Sequence, residues 1–257
     1  MRHVIAVGSG KGGVGKSTVS LNLALALAQR GLDVGLLDAD LYGPNIPIMV
    51  GLTRQRWTEY WTLARPGRRR ERYAPVVRNG LKIVSAGFIL GEDQPLAVDA
   101  MTATTMVRQL LHDVDWGEPD YLIVDLPPGT GDIHQALLKI IPVTGALIVV
   151  TPQYVAHLDA RKAVRLYQRH HVPVLGWVEN MGPMACPHCG EPVAVFPEVP
   201  PARSIRQLGI EPIGSIPFDP ALGAAGDSGQ ALVVDGGDSA PARAFRALAE
   251  SLVRTLG

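Results

Sequence analysis

A glycine-rich run near the N-terminus has the residue types and spacing of a phosphate-binding loop. Gly10-Lys11-Gly12-Gly13-Val14-Gly15-Lys16-Ser17-Thr18 fits the pattern of Gly, four residues and Gly-Lys-Ser, between a predicted strand and a predicted helix. Glycines let successive amides point at phosphate oxygens, and the helix N-terminus adds its positive end. We expect Lys16 to neutralise the outer phosphates and Ser17 to offer a hydroxyl to Mg2+. The run therefore predicts a site for a nucleoside triphosphate.

Carboxylates follow two of the apolar runs that we expect to be strands. Asp38 and Asp40 come after one run, and Asp125 follows another, ahead of a Pro-Pro-Gly-Thr-Gly turn. Ligands of open α/β sheets lie beyond the carboxyl ends of the strands, so these acids are expected to share one crevice with the phosphate loop. Asp125 is placed to hold a magnesium water as a Walker B acid, and Gly129 to offer its N–H to the γ phosphate. The alternative for Asp125 is that it only caps a turn.

The two cysteines of the chain lie in one short motif, Cys186-Pro187-His188-Cys189-Gly190. A closed tetrahedral metal site needs four ligands, so one chain is two thiolates short. A twofold axis that joins two chains would complete four thiolates, which suit either zinc or a four-iron cluster. His188 is an alternative ligand, although we interpret it as a spacer. A redox dithiol is less compatible with a late loop of a nucleotide-binding chain.

The elements that must position these residues alternate between strands and helices, which predicts a parallel sheet flanked by helices on both faces, a three-layer α/β fold. Helices are predicted at Ser17–Gln29, Thr102–Leu111, Asp132–Ile141, Ala156–Arg169, Pro201–Leu208 and Pro241–Leu256. Strands are predicted at His3–Val7, Val34–Leu37, Lys82–Ala86, Tyr121–Val124, Ala146–Val150, Val174–Val178 and Pro212–Ile216. Two segments interrupt this rhythm: Leu52–Gly80, which is rich in arginine and aromatic residues, and Gly223–Gly237, which we predict to be a surface loop.

Composition limits the classes of function. The 257 residues predict a single domain, 1–257, with a basic insertion at 52–80 and a CxxC metal-binding loop at 182–200. Lys plus Arg and Asp plus Glu number 24 each, so the chain has no net charge and nucleic acid is not expected as its partner. No apolar run approaches the length of about 18 residues that a membrane span needs. Two cysteines in one motif suit a reducing compartment, and we predict a cytoplasmic protein without membrane attachment.

Several motifs together resemble the Mrp/ApbC family, whose members are P-loop ATPases that carry and transfer iron–sulfur clusters. These motifs are Ser9–Asn22, Gly35–Pro44, Asp120–Asp132, Thr151–Gln153 with Asp159-Ala160, Val172–Gly176, Glu179–Met181 and Cys186–Gly190. They cover most of the chain in order. The extra lysine, Lys11, also resembles the deviant Walker A of the MinD, ParA, ArsA and nitrogenase-iron-protein class. In the P-loop NTPase (SIMIBI) fold of that class, this lysine reaches the nucleotide of the facing subunit.

The resemblance implies a role for further residues. A slow, cluster-coupled ATPase would use Lys11, Lys16 and Asp40 as catalytic residues, with Asp40 orienting the attacking water and Asp38 nearer the metal shell. Asn180 would recognise adenine, and Pro217 would lie against the base. Two chains would bind ATP and Mg2+ and would share a labile [4Fe-4S] cluster through Cys186 and Cys189, with zinc as the alternative metal. The homodimer would receive clusters from an assembly scaffold and transfer them to apo iron–sulfur proteins.

A MinD- or ParA-like positioning switch is the alternative function, since such proteins bind membrane or DNA through the same fold. The C-terminal segment places Phe245, Leu248, Leu252 and Leu256 on one helical face, which is compatible with a bilayer surface. Core packing explains the same face more simply. The CxxC motif discriminates between the two functions, because a positioning switch has no need of it.

Overall fold

The central sheet places the predicted site at one edge. The computed structural model describes residues 1–52, 73–88 and 96–257. Within these ranges eight strands form one sheet in the order β10-β7-β6-β1-β5-β2-β4-β3, parallel throughout except at β3, and two short strands form a separate hairpin. The strands are His3–Ser9 (β1), Val34–Asp38 (β2), Val76–Arg78 (β3), Leu81–Ser85 (β4), Tyr121–Asp125 (β5), Gly145–Val150 (β6), Val174–Gly182 (β7), Met184–Ala185 (β8), Pro192–Val193 (β9) and Pro212–Pro217 (β10).

Helices cover both faces of the sheet. They are Lys16–Gln29 (α1), Ile46–Met49 (α2), Ala100–His112 (α3), Asp132–Ile140 (α4), Tyr154–Arg169 (α5), Pro220–Asp227 (α6), Leu232–Asp235 (α7) and Ala240–Leu256 (α8). Alternate residues of β1 enter two separate cores, with Val4 and Ala6 in one and Ile5 and Val7 in the other. This is the burial pattern of a sheet covered on both sides, and it agrees with the predicted three-layer α/β architecture.

The parallel register brings the predicted acids together. β5 lies between β1 and β2, with Asp125 in register with Val7 on one side and with Asp38 on the other. The carboxyl ends of these strands therefore meet at one edge, where the phosphate loop also begins. The predicted strands are all present, and β7 extends four residues beyond its predicted end, to Gly182.

The predicted helix Pro201–Leu208 is wrong. The segment forms two short 3-10 turns, Pro201–Arg203 and Ile205–Leu208, separated by an extended residue, Ser204. The Ser204 hydroxyl accepts a hydrogen bond from the Arg206 amide at 3.1 Å. A serine side chain that binds a nearby backbone amide competes with helical hydrogen bonding, which explains the break.

The predicted surface loop at Gly223–Gly237 is also wrong, because α6 and α7 form within it. Asp219 caps the first of these helices through a hydrogen bond from the Ala221 amide at 2.9 Å. Leu222, Ala225 and Val233 are buried. Burial of these apolar side chains outweighs the poor helix propensity of the glycines between them.

The interruption predicted at Leu52–Gly80 ends earlier than expected. Residues 53–72 lie outside the described ranges, whereas Val76–Arg78 forms an antiparallel edge strand against β4. Asn79 and Gly80 connect the two strands with φ values of 50° and 75°. An Asn-Gly pair with both φ angles positive is a favoured hairpin turn, and this local signal marks the strand pair.

The apolar face of the C-terminal helix belongs to the protein core. Phe245, Leu248 and Leu252 of α8 are fully buried and join the same core as α1. This burial confirms the core-packing interpretation of the segment. Among the helices of the described ranges, none combines the length and the apolar character needed to cross a bilayer.

Shortening Phe245 tests this packing directly. We expect Phe245→Ala to lower the free energy of unfolding by about 3–5 kcal/mol, because the cavity that it leaves is fully enclosed. Urea unfolding measures the change. The control is Thr255→Ala on the exposed side of the same helix, which should stay within about 0.5 kcal/mol of the parent protein. Equal effects of the two changes would contradict a buried α8 face.

Candidate functional site

The phosphate loop connects β1 to α1 through backbone conformations that favour glycine. Gly13 and Gly15 have φ values of 77° and 80°, and Gly15 caps the N-terminus of α1 in the left-handed region. A Cβ on Gly10 would lie 2.1 Å from the backbone carbon of Asp159, and one on Gly15 would lie 2.2 Å from Nδ2 of Asn180. Steric contact therefore requires glycine at positions 10 and 15, in addition to the backbone angle at position 15.

Lys16 is buried between two carboxylates. Its Nζ lies 2.9 Å from Oδ1 of Asp125 and 3.5 Å from Oδ2 of Asp40. Burial lowers the pKa of Lys16, but the Asp125 and Asp40 carboxylates together outweigh this effect, so that the pKa lies above its ordinary value. Lys16 is therefore a charged ammonium group held at the base of the loop.

Asp125 accepts hydrogen bonds from three side chains of α1. Besides Lys16, the Ser17 hydroxyl donates to its Oδ2 at 2.6 Å, and the Ser20 hydroxyl donates to its Oδ1 at 2.7 Å. The predicted alternative, a carboxylate that only caps a turn, does not account for these contacts. Ser17 and Asp125 form a compact set of oxygen atoms of the kind that Mg2+ prefers.

Asp38 and Asp40, to which the resemblance gave different roles, occupy different places. Asp38 is buried and accepts from the Ser85 hydroxyl at 2.8 Å, whereas Asp40 lines the cleft above the loop. Burial, and next the neighbouring Asp125, raise the pKa of Asp38 to about 8. Burial also raises the pKa of Asp40, against the opposing effect of Lys16. Only Asp40 is therefore in a position to meet a ligand in the cleft directly.

The cleft above the phosphate loop has a volume of about 830 Å³. Residues 11–18 form its floor, and Pro127 and Pro128 lie on one side. Gly129 follows in a left-handed conformation with φ 83°, and its N–H donates to the Ser9 carbonyl at 3.0 Å. This N–H must therefore leave the Ser9 carbonyl before it can bind a phosphate.

Lys11 lines the mouth of the same cleft. Its Nζ lies 3.4 Å from Oε1 of Gln153, which is part of the Thr-Pro-Gln segment before α5. This long contact leaves the lysine weakly held. An ammonium group that is weakly held at the mouth of the cleft is compatible with contact to a ligand that lies outside this chain.

The two residues predicted to contact adenine do not line the cleft. Asn180 is buried, and its Nδ2 donates to the Val14 carbonyl at 2.8 Å, which ties β7 to the phosphate loop. Pro217 is half-buried at the end of β10, where it pairs with Gly182. The predicted adenine contacts of Asn180 and Pro217 stay predictions.

The cysteine motif forms the tip of the β8–β9 hairpin. The Cys186 amide donates to the Glu191 carbonyl at 2.8 Å, and the Gly190 amide returns to the Cys186 carbonyl at 2.9 Å. Cys189 is exposed and Cys186 is half-buried. Hydrogen bonds from Cys189 and from the His188 backbone lower the pKa of the Cys186 thiol. The half-buried Cys186 thiol therefore has increased thiolate character, and the exposed Cys189 thiol lies beside it.

One chain does not complete a metal site around these cysteines. Over residues 1–52, 73–88 and 96–257, no group of three or more His, Cys, Asp or Glu side chains is arranged to hold a metal ion. The two cysteines of the hairpin supply two of the four ligands that a closed tetrahedral site requires.

A model of the NUBPL iron-transfer P-loop NTPase family, part of the ParA group, matches residues 1–253. The chain belongs to this family. Membership confirms the resemblance predicted from the motifs, and with it the P-loop NTPase assignment.

Curated relatives and solved structures agree with this family assignment. The chain is 42% identical to the iron-sulfur cluster carrier protein of Aquifex aeolicus over 98% of its own length and 67% of that protein. It is 39% identical to the iron-sulfur cluster transfer protein NUBPL of Mus musculus over its full length and 78% of that protein. A nucleotide-binding protein from Archaeoglobus fulgidus, solved with ADP, superimposes with a TM-score of 0.73 and 38% identity, over 90% of this chain and 87% of that one. MinD from Pyrococcus horikoshii shares the fold. It is 23% identical and superimposes with a TM-score of 0.75 over 100% of this chain and 98% of that one.

Some residues of this iron-transfer NTPase site were missed in the sequence. Ser20 reaches Asp125 from one turn beyond the motif, and its signal is a hydroxyl within the otherwise apolar α1. Leu222 and Gly226 line the far side of the cleft because α6 packs there, in the segment that was predicted to be a loop. Tyr42 also lines the cleft, after Asp40.

The steric requirement at the loop predicts unequal effects of two alanine substitutions. Gly15→Ala should lower the free energy of unfolding by about 1–3 kcal/mol, because it strains a positive φ and forces Asn180 to move. Gly12→Ala is the matched control, since a Cβ at Gly12 meets open space. Urea unfolding of the nucleotide-free protein measures both. Equal stability of the two variants would be inconsistent with the Gly15–Asn180 contact.

Proposed function

We propose that this chain is an ATP-hydrolysing carrier of iron–sulfur clusters that works as a homodimer. One observation carries the proposal: a formed phosphate loop, with Lys16 paired to Asp125, shares a chain with a cysteine pair at a hairpin tip that has half of a cluster's ligands. The relatives named iron-sulfur cluster carrier and cluster transfer proteins support the same role.

ATP would bind in the cleft above the phosphate loop. The amides of residues 10–18 would surround the phosphates, and the buried charge of Lys16 would neutralise the outer two. Ser17 and Asp125 would hold Mg2+, with Asp38 in the same acidic group, and the ion would supply charge neutralisation at the phosphates. Asn180, already next to the loop, would reach adenine, and Pro217 would lie against the base.

Hydrolysis would depend on groups at the open side of the cleft. Asp40 would orient the attacking water, because it lies 3.5 Å from the Lys16 ammonium and faces the cleft. Gly129 would transfer its N–H from the Ser9 carbonyl to the γ phosphate. Lys11 would leave Gln153 and reach the nucleotide of the other subunit. The movement of Gly129 would need the nucleotide, and that of Lys11 would need the second chain. Hydrolysis that depends on both would be slow and would act as a switch.

The cargo would be a [4Fe-4S] cluster shared between subunits. Cys186 and Cys189 of two chains supply four thiolates, and their place at a hairpin tip leaves the ligands accessible for exchange. The carrier would take the cluster from an assembly scaffold and give it to apo iron–sulfur proteins in the reducing cytoplasm. We propose that residues 1–257 act as one domain, with a basic insertion at 52–80 and a CxxC metal-binding loop at 182–200.

Two other functions that the same features allow predict different experimental results. Structural zinc would occupy the four thiolates without inorganic sulfide. A MinD- or ParA-like switch would bind liposomes or DNA in the presence of ATP, in protein free of metal. The apolar face of α8, which would have to contact the bilayer in such a switch, is buried in the protein core.

Lys16→Ala tests the catalytic part of the proposal. We expect ATP hydrolysis to fall about a hundredfold or more, because the substitution removes a preorganised charge at the phosphates. Phosphate release by the reconstituted protein measures it. The control is Lys162→Ala, an exposed lysine on α5 that pairs with Asp159, and it should retain full activity. Hydrolysis by the Lys16 variant at the normal rate would exclude this site.

Cys186→Ala tests the cargo. After anaerobic reconstitution we expect the parent protein to be dimeric with about two iron and two sulfide per chain, from one four-iron cluster shared by two chains. The variant should lose iron and sulfide but still bind ATP, whereas the His188→Ala control should keep both. Full cluster content in the Cys186 variant, or in a monomeric parent protein, would show that the thiolates of two chains are not pooled.

A further inference from the structure

A buried histidine supports the loop after β5 and has no part in the proposed binding and hydrolysis of ATP. His134 lies in the first turn of α4 and is fully buried. Its Nδ1 lies 3.1 Å from the Pro127 carbonyl oxygen, and its Nε2 lies 3.1 Å from the hydroxyl of Tyr167 on α5. The two rings meet edge to face, with centroids 5.5 Å apart. Both ring nitrogens are thus engaged in a site without solvent.

The chemistry of the three groups assigns the protons. Burial lowers the pKa of His134 to about 4, so the imidazole is neutral and has one N–H. The Pro127 carbonyl can only accept, hence Nδ1 carries the proton and donates to it. Nε2 is then the acceptor for the hydroxyl of Tyr167, whose pKa is raised by burial. The hydrogen bonds therefore run in one direction, from Tyr167 through His134 to the Pro127 carbonyl.

The pair joins the nucleotide cleft to a rigid part of the fold. Pro127 lines the cleft, two residues before Gly129. On the other side, the Tyr167 hydroxyl lies 2.1 Å from the place that a Cβ on Gly8 would occupy, so Tyr167 packs directly against β1. The same helix, α5, touches the phosphate loop at Gly10 through the backbone of Asp159. The Pro127 carbonyl is thereby held to the frame that carries the phosphate loop.

This arrangement divides the loop into a fixed part and a part that must move. The Leu126 amide donates to the Val7 carbonyl at 3.1 Å, and His134 holds Pro127. The amide of Gly129, a residue with positive φ, donates to the Ser9 carbonyl, which it must leave to bind a phosphate. We therefore expect the movement that phosphate binding requires to lie in the residues after Pro127.

We propose that His134, oriented by Tyr167, is a positioning residue that fixes the Pro127 carbonyl and so aims the Gly129 N–H at the γ phosphate. The inference rests on the proposed ATP hydrolysis at this cleft. His134 is fully buried and does not line the cleft, so its proposed effect is exerted through the loop. It is expected to influence turnover more than the affinity for ATP, which depends on the phosphate loop itself.

Two substitutions of His134 separate its two contacts. The amide nitrogen of Asn takes about the place of Nδ1, and the amide of Gln takes about the place of Nε2. His134→Asn therefore keeps the hydrogen bond to Pro127, and His134→Gln keeps only the one to Tyr167. We expect the Gln variant to lower kcat about fivefold, the scale of one neutral hydrogen bond, with the KM for ATP within about twofold. The Asn variant should retain most of the turnover.

Hydrogen exchange gives a second readout that does not require hydrolysis. The amides of residues 126–131 should exchange faster in the Gln variant than in the parent protein, and the Asn variant should resemble the parent. Equal exchange and equal kcat in the Asn and Gln variants would overturn the proposal, since a merely structural histidine would lose stability in both. If the parent protein hydrolyses no ATP, the proposed function fails, while the exchange rates still decide the role of His134.

Tyr167→Phe provides an independent variant if the His134 substitutions fold poorly. It removes the donor to Nε2 and keeps the ring that packs against β1. We expect faster exchange at residues 126–131 and a lower kcat, and no further effect of Tyr167→Phe on kcat when His134 is already Asn. Additive effects of the two substitutions would contradict the direction of the hydrogen bonds, because Asn no longer depends on the Tyr167 hydroxyl.

Discussion

The contact between Asp125 and the first turn of α1 is the interaction on which the site depends. One carboxylate accepts from Lys16, Ser17 and Ser20, and its position is set by the parallel register of β5 with β1 and β2. A buried carboxylate and a buried ammonium are each costly alone, and either one would be uncompensated without the other. The fold therefore holds Lys16, the proposed catalytic lysine, and the proposed metal ligands in one geometry.

The cysteine hairpin follows the opposite rule. The phosphate loop is tied to β7 by Asn180 and to α5 at Gly10, whereas the hairpin has short strands and an exposed Cys189 at its tip. A permanent metal site would complete its ligand set and bury it. A carrier needs ligands that two subunits supply and can withdraw. The contrast between a rigid nucleotide site and an incomplete thiolate site is thus what the proposed transfer of a cluster requires.

Features with a local cause were predictable from the sequence, and features that depend on distant packing were not. The glycine run, the strand-end acids and the CxxC motif have their chemistry in adjacent residues, and the apolar runs locate the strands within a few positions. The link between His134 and Tyr167 joins residues 33 apart and has no local signal. The helix at Pro220–Asp227 was not predicted for a similar reason. Its glycines suggest a loop, and only the tertiary burial of Leu222 and Ala225 explains why a helix forms.

Helix α5 contacts the loop after β5 and also the segment that follows the cysteine hairpin. Near its C-terminal end Tyr167 holds the loop after β5 through His134, and near its N-terminal end His157 accepts a hydrogen bond from the Ile205 amide at 3.3 Å. The ring of Tyr154 at the first residue of α5 lies under the guanidinium of Arg203. The segment that contains Arg203 and Ile205 follows the cysteine hairpin in the chain. Helix α5 therefore packs against the loop after β5 near one end and against residues 203–205 near the other, and both contacts depend on the position of the same helix.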